Sequence, residues 1–198
     1  LDWDCAVLLW IVGWQQGKDR RYGAGREEVK DNFEQCLVML LKHEGGYVNN
    51  PKDPGGMTNL GVTKRVWEEY VGHAVDEATM RSLTPNMVAP LYKKNYWDVC
   101  HCDDLPDGVD YAVFDLAVNS GTRRAAKTLQ KAAGVPDDGA IGPATMKAVS
   151  ECNHRNLALD ICEMRLAFLQ ALPTWDTFGR GWGRRVAEVE ETASSMMA

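Results

Sequence analysis

Among the 28 acidic residues of this chain, Glu44 is set apart by its surroundings. Phe33, Leu37, Leu40 and Leu41 recur ahead of it at helical spacing, and Gly45-Gly46 follows it. This pattern predicts an apolar-faced helix ended by the two glycines, with Glu44 in its last turn on the buried face. Burial and the negative end of the helix dipole would both oppose ionisation there. A carboxyl kept protonated near neutral pH can protonate a leaving oxygen, the chemistry that glycoside cleavage requires. The plainer reading is a half-buried Glu paired with a nearby Lys or Arg.

A second group must activate or replace a water. Asp53 lies in the segment Asn50-Pro51-Lys52-Asp53-Pro54-Gly55-Gly56, whose prolines and glycines predict a tight turn. Thr58 sits on the arm returning from that turn. A hairpin folded back on the helix end would face Asp53 and Thr58 toward Glu44, where a carboxylate and a hydroxyl hold a water. By itself, an Asp before Pro is more often a turn residue.

The elements that must position these groups are mostly helices. Asp31-Asn32-Phe33-Glu34 resembles a capping arrangement at the start of the Glu44 helix. Val66, Trp67, Tyr70 and Val71 mark another helix, and Thr84-Pro85 opens a third in which Pro90 sits badly. Val109, Ala112, Val113, Leu116 and Ala117 form a strongly periodic core helix ending near Gly121. Tyr111, Asp115 and Asn119 share one face of it, a candidate cleft wall, with Asn119 equally well placed as a helix-end cap. Further helices are expected over 122–133, 143–151, 156–172 and 178–192. The expected fold class is all-α with a minor β element: a lysozyme-like helical domain with one small β-hairpin after the catalytic helix. Residues 1–30 form an apolar segment and linker, and 31–198 the main domain.

Composition narrows the function further. The chain has 198 residues and a net charge of −6, which argues against nucleic acid as a partner. Arg123, Arg124, Lys127 and Lys131 form a local basic run, either a wall-binding patch or a solvated helix face. The 6 cysteines either form disulfides, with Cys152 or Cys162 meeting Cys100 or Cys102, or stay as buried thiols. Cys100-His101-Cys102 is too tight for a zinc clamp, and no metal or cofactor is expected. Residues 5–14 are continuously apolar but half as long as a membrane span. They read as a core helix, a transient membrane anchor or a signal remnant.

The run His43-Glu44-Gly45-Gly46-Tyr47-Val48-Asn49-Asn50-Pro51-Lys52-Asp53-Pro54-Gly55-Gly56-Met57-Thr58-Asn59-Leu60-Gly61-Val62-Thr63 resembles the signature of glycoside hydrolase family 108. That family comprises N-acetylmuramidases of phage endolysins and secretion-linked muramidases. The resemblance implies that Glu44 is the catalytic acid and that peptidoglycan glycan strands are the partner. Tyr96-Trp97-Asp98, the segment from Phe114 to Gly121, and Gly179-Arg180-Gly181-Trp182 with Arg185 are also family-like. Tyr47, Asn50, Tyr96, Trp97, Tyr111, Asp115 and Asn119 are the expected substrate-binding residues. Asp138-Gly139-Ala140-Ile141-Gly142-Pro143-Ala144-Thr145 is similar to the loop of small peptidoglycan-binding modules, or else a structural corner. The resemblance implies a monomer working in the periplasm or cell envelope, as a phage- or prophage-encoded endolysin would. A non-catalytic wall-binding module, a lytic transglycosylase and a chitinase are the rival readings.

Overall fold

The structure, a computed structural model, describes residues 32–49 and 56–197. Asp53, Asn50 and the apolar run at 5–14 therefore lie outside the described residues. Helix α1 (Phe33–Leu41) buries Phe33, Cys36, Leu37, Leu40 and Leu41, the face its periodicity predicts. Asn32, one of the two expected caps, makes no side-chain cap; its amide donates instead to Asp107 and Asp110, at 2.7 and 3.0 Å, and the other, Asp31, lies outside the described residues.

Three short antiparallel strands follow: β1 (Val48–Asn49), β2 (Met57–Asn59) and β3 (Val62–Thr63), in the order β1-β2-β3. The expected hairpin is thus a three-stranded sheet. Thr58 is its centre, opposite Val48 on one side and Thr63 on the other. Leu60 and Gly61 form the two-residue turn between β2 and β3, with φ of 50° and 73°. Positive φ at both central positions is the hairpin turn that matches strand twist. Asn59 anchors this hairpin by donating from its buried amide to the Met80 carbonyl at 2.8 Å.

Helices α2 (Lys64–Val71) and α3 (Glu77–Arg81) start on side-chain caps from Thr63 and Asp76. In α4 (Pro85–Tyr92), Pro90 is accommodated inside the helix, which runs on as a π-helical turn, Lys93–Trp97. A 3₁₀ turn at Cys102–Asp104 leads to α5 (Val109–Ser120), in which every residue from Val109 to Ala117 is buried. The remaining helices are α6 (Thr122–Ala132), α7 (Pro143–Glu151), α8 (His154–Gln170) and α9 (Trp175–Met196). They fit the expected spans, and α8 and α9 both pack on α5. The fold is all-α with a small sheet, as the sequence predicts.

The five described cysteines are free thiols. Cys100 and Cys102 meet each other. Cys162 lies on the buried face of α8 with Asp115 and Arg165 as charged neighbours, so the anticipated bridge between these two regions does not form. The basic run on α6 is largely spent internally. Lys127 and Lys131 reach Asp137, at 3.9 and 3.3 Å, and the Arg124 guanidinium lies 3.7 Å from the centre of the Phe168 ring. Among the described residues, no helix is long and apolar enough to cross a membrane.

Candidate active site

Glu44 lies three residues beyond the last residue of α1, in a loose turn, so the helix face does not set its direction. Arg185 on α9 does. Its Nη1 is 2.9 Å from Glu44 Oε1. The other side of the guanidinium grips Asp115 on α5, with Nε at 3.1 and 3.2 Å from the two carboxylate oxygens and Nη2 at 2.8 Å. Asp115 also accepts from Arg165 Nη1 of α8 at 2.6 Å. The result is a chain of alternating charges, Arg165–Asp115–Arg185–Glu44, running from the core outward. The side chains of Asp115, Arg165, Arg185 and Glu44 are 0%, 2%, 13% and 20% exposed.

Burial alone would push the Asp115 carboxyl up, but the two guanidiniums outweigh it and hold it below the ordinary range. Burial would likewise weaken the Arg185 charge, and Asp115 and Glu44 reverse that effect. The interior around Glu44 is therefore not apolar, as α1 periodicity suggested, but a compensated ionic network that ends in its carboxylate.

The sheet and α4 close the other sides. A Cβ placed on Gly61 would lie 2.9 Å from Glu44 Oε2 and 2.5 Å from the Tyr92 hydroxyl. The hairpin turn thus brings bare backbone against the carboxylate, which glycine alone permits at this φ. Tyr92 fixes the turn by donating to the Leu60 carbonyl at 2.8 Å. The Tyr96 ring stacks 5.7 Å from Tyr92 and remains half-buried. Burial raises both phenols, and the Glu44 charge raises them further, which places both tyrosines within its field.

The sequence-predicted site residues divide into two sets. Glu44, Tyr96 and Asp115 meet in one network, although Asp115 is fully buried and acts through Arg185. Asn119 reaches the surface one turn further along α5. Tyr111 is 1% exposed on the buried part of that helix. Trp97 is fully buried, packs between Phe33 and Phe114, and donates from Nε1 to Asp103 at 2.6 Å, so it belongs to the core. Tyr47 lies under the Arg81 guanidinium, 3.9 Å from its ring centre, facing α3. Thr58 holds the centre of the sheet.

Sequence reasoning missed Arg165, Tyr92 and Gly61. Arg165 had a signal: it interrupts the apolar stripe Leu157, Ile161, Cys162, Leu169 of α8 at helical spacing, as Asp115 interrupts α5. Two opposite charges each embedded in an apolar face point to a buried pair.

The segment Asp138 to Thr145 is a tied corner. The Gln130 amide of α6 lies 2.7 Å from Asp138 Oδ1, 3.0 Å from the Ala140 carbonyl and 3.3 Å from Thr145 Oγ1. Its carbonyl accepts from the Gly139 N–H at 2.8 Å.

The family model for Glycosyl hydrolase 108 matches residues 37–121, which include Glu44, Thr58, Gly61, Tyr92, Tyr96, Asp115 and Asn119. Among solved structures, SagA of Brucella abortus is 41% identical, with a TM-score of 0.73 over 83% of this chain and 95% of that one. No curated protein matches the chain. The identity and coverage shared with SagA, together with the family match over the Glu44 region, establish that this chain belongs to glycosyl hydrolase family 108.

Proposed function

We propose that this glycoside hydrolase cleaves the β-1,4 bond between N-acetylmuramic acid and N-acetylglucosamine in peptidoglycan, with Glu44 as general acid. The observation that supports this most is the anchoring of Glu44, held by Arg185 on one oxygen and abutted by the Gly61 turn on the other. An acid delivering a proton to a glycosidic oxygen must be fixed within a few tenths of an ångström, and the contact with Arg185 supplies that positioning from one side. With Oε1 occupied by Arg185, Oε2 is the oxygen that delivers the proton.

Tyr96 is the half-exposed aromatic beside the acid and the natural wall for a sugar ring. Asp53 and Thr58 are the groups assigned to the water on the opposite sugar face, with Thr58 supplied by the middle strand of the sheet. The substrate places the enzyme in the cell envelope, in the manner of a phage- or prophage-encoded endolysin.

Glu44→Gln keeps the shape of the side chain and removes the acid. We expect it to fold normally and to lose about 10²-fold or more of the release of reducing ends from purified sacculi. Undiminished release by this variant would remove the assignment. Mass spectrometry of the parent's products is expected to show reducing muramic acid ends; anhydro ends would mean a transglycosylase.

A further inference from the structure

Among the described residues, two non-glycine residues have positive φ. Leu60 belongs to the hairpin turn, whereas His101, at φ 52° and ψ 38°, has no part in the site above. His101 stands between two cysteines, in a turn fixed by hydrogen bonds on both sides. The Cys100 N–H donates to the Tyr96 carbonyl at 3.1 Å, and the Asp104 N–H donates to the His101 carbonyl at 3.0 Å. A left-handed residue bends the chain as tightly as a helical turn does, which puts the Cα atoms on either side of it about 5.4 Å apart. A disulfide requires about 4.4–6.8 Å between these atoms. An extended residue would spread them to about 7 Å, outside that window.

Both thiols are fully buried and hydrogen-bond to each other. Their cover is thin. Val99 and the His101 side chain, the neighbours of Cys100 in the chain, are each 53% exposed. The pair thus lies beneath a surface turn, where a local opening uncovers it. The two thiols are also unequal. The contact with Cys102 holds the Cys100 thiol below its ordinary range, while burial pushes Cys102 well above its own, so Cys100 is the nucleophile of the pair. The joint they span connects two walls of the site: the π turn before it carries Tyr96, and α5 after it carries Asp115.

We propose that Cys100 and Cys102 are a reversible dithiol–disulfide couple that locks this joint under oxidising conditions. The Cys100 thiolate attacks an external disulfide of the glutathione type, releasing one thiol and leaving a mixed disulfide. Cys102 then gives up its proton and displaces the second thiol, closing the Cys100–Cys102 bond. The two cysteines lose two protons and two electrons in all, and the oxidant carries them away as two thiols. The couple stands apart from the assignment of Glu44.

The test equilibrates the full chain in glutathione buffers from fully reduced to fully oxidised, then alkylates and digests it for mass spectrometry. The peptide spanning Cys100 and Cys102 should pass from doubly alkylated to unalkylated and two hydrogens lighter, and return on reduction. The closed loop is short, so the oxidised form should melt only roughly 3–6 °C above the reduced one. Cys100→Ala and Cys102→Ala should each abolish the transition and the redox-dependent shift in melting, and the reduced-state melting curve of each variant checks its fold. Two alkylated thiols in excess oxidised glutathione, a stable glutathione adduct, or a bridge from either residue to another cysteine would overturn the couple. Equal melting of the oxidised and reduced parent, or a shift that persists in both variants, would overturn the lock.

Discussion

At the scale of single residues, Gly61 has little freedom. It has a φ of 73°, and a methyl group there would meet both Glu44 Oε2 and the Tyr92 hydroxyl. Leu60 beside it, buried and at a φ of 50°, already stores strain in the same turn. Gly61→Ala is therefore expected to cost about 1–3 kcal/mol of stability through the strained backbone. It should also lower kcat more than it raises KM, because the displaced group is the acid and not the glycan wall. Denaturant unfolding and steady-state kinetics on the same preparation measure both; wild-type kcat in Gly61→Ala would mean that the turn does not position Glu44. Gly61 was quoted in the sequence only as part of a long motif. Nothing in one-dimensional spacing says that this glycine, and not Gly56, is the one pressed against the acid.

At the scale of elements, helices were far more legible than the site they frame. The stripes of α1 and α5 are read directly from apolar spacing, because burial of one face is a local property of the helix. Directions beyond a helix end are not local. Extending the α1 stripe to Glu44 predicted an apolar setting, but the helix stops at Leu41 and the carboxylate is aimed by Arg185, which lies far along the chain. Trp97 shows the same limit. Its place in a family-like segment suggested substrate contact, whereas the π turn rotates it into the Phe33–Phe114 cluster and leaves Tyr96 facing outward.

The ionic chain is what joins α5, α8 and α9 behind the site, and it makes a sharp prediction. Asp115→Asn removes the negative charge that Arg165 and Arg185 share in the core. Breaking a buried pair in this way is expected to cost roughly 3–5 kcal/mol. The double change Asp115→Asn with Arg165→Met should recover part of that loss, since one buried cation no longer lacks a partner. Chemical denaturation of the single and double variants measures the coupling, and simple additivity would mean that the residues do not form a network.

At the scale of the whole molecule, the network ties stability to pH through two groups whose signs can be worked out. His43 is next to Glu44 and 14% exposed, with its Nδ1 3.4 Å from Glu188. Burial lowers its pKa below the ordinary value of 6.5; Asp115 and Glu188 oppose the shift, while Arg185 and Arg165 reinforce it. The unfolded chain therefore binds the His43 proton at higher pH than the folded chain does. Stability should fall as pH drops below about 6.5 and stop falling once the folded imidazole also protonates. Asp115 acts in a separate window. Its folded pKa is depressed, so its contribution is complete above the unfolded value of about 3.9 and is lost as pH falls through the folded one. The melting temperature should thus decline in two stages on acidification, a shallow one beginning near pH 6.5 and a steeper one below about pH 4. His43→Gln keeps a neutral polar side chain at the position and should abolish the first stage while leaving the second. Scanning calorimetry from pH 8 downward tests this, and an unaltered first stage in His43→Gln would assign it to a different group.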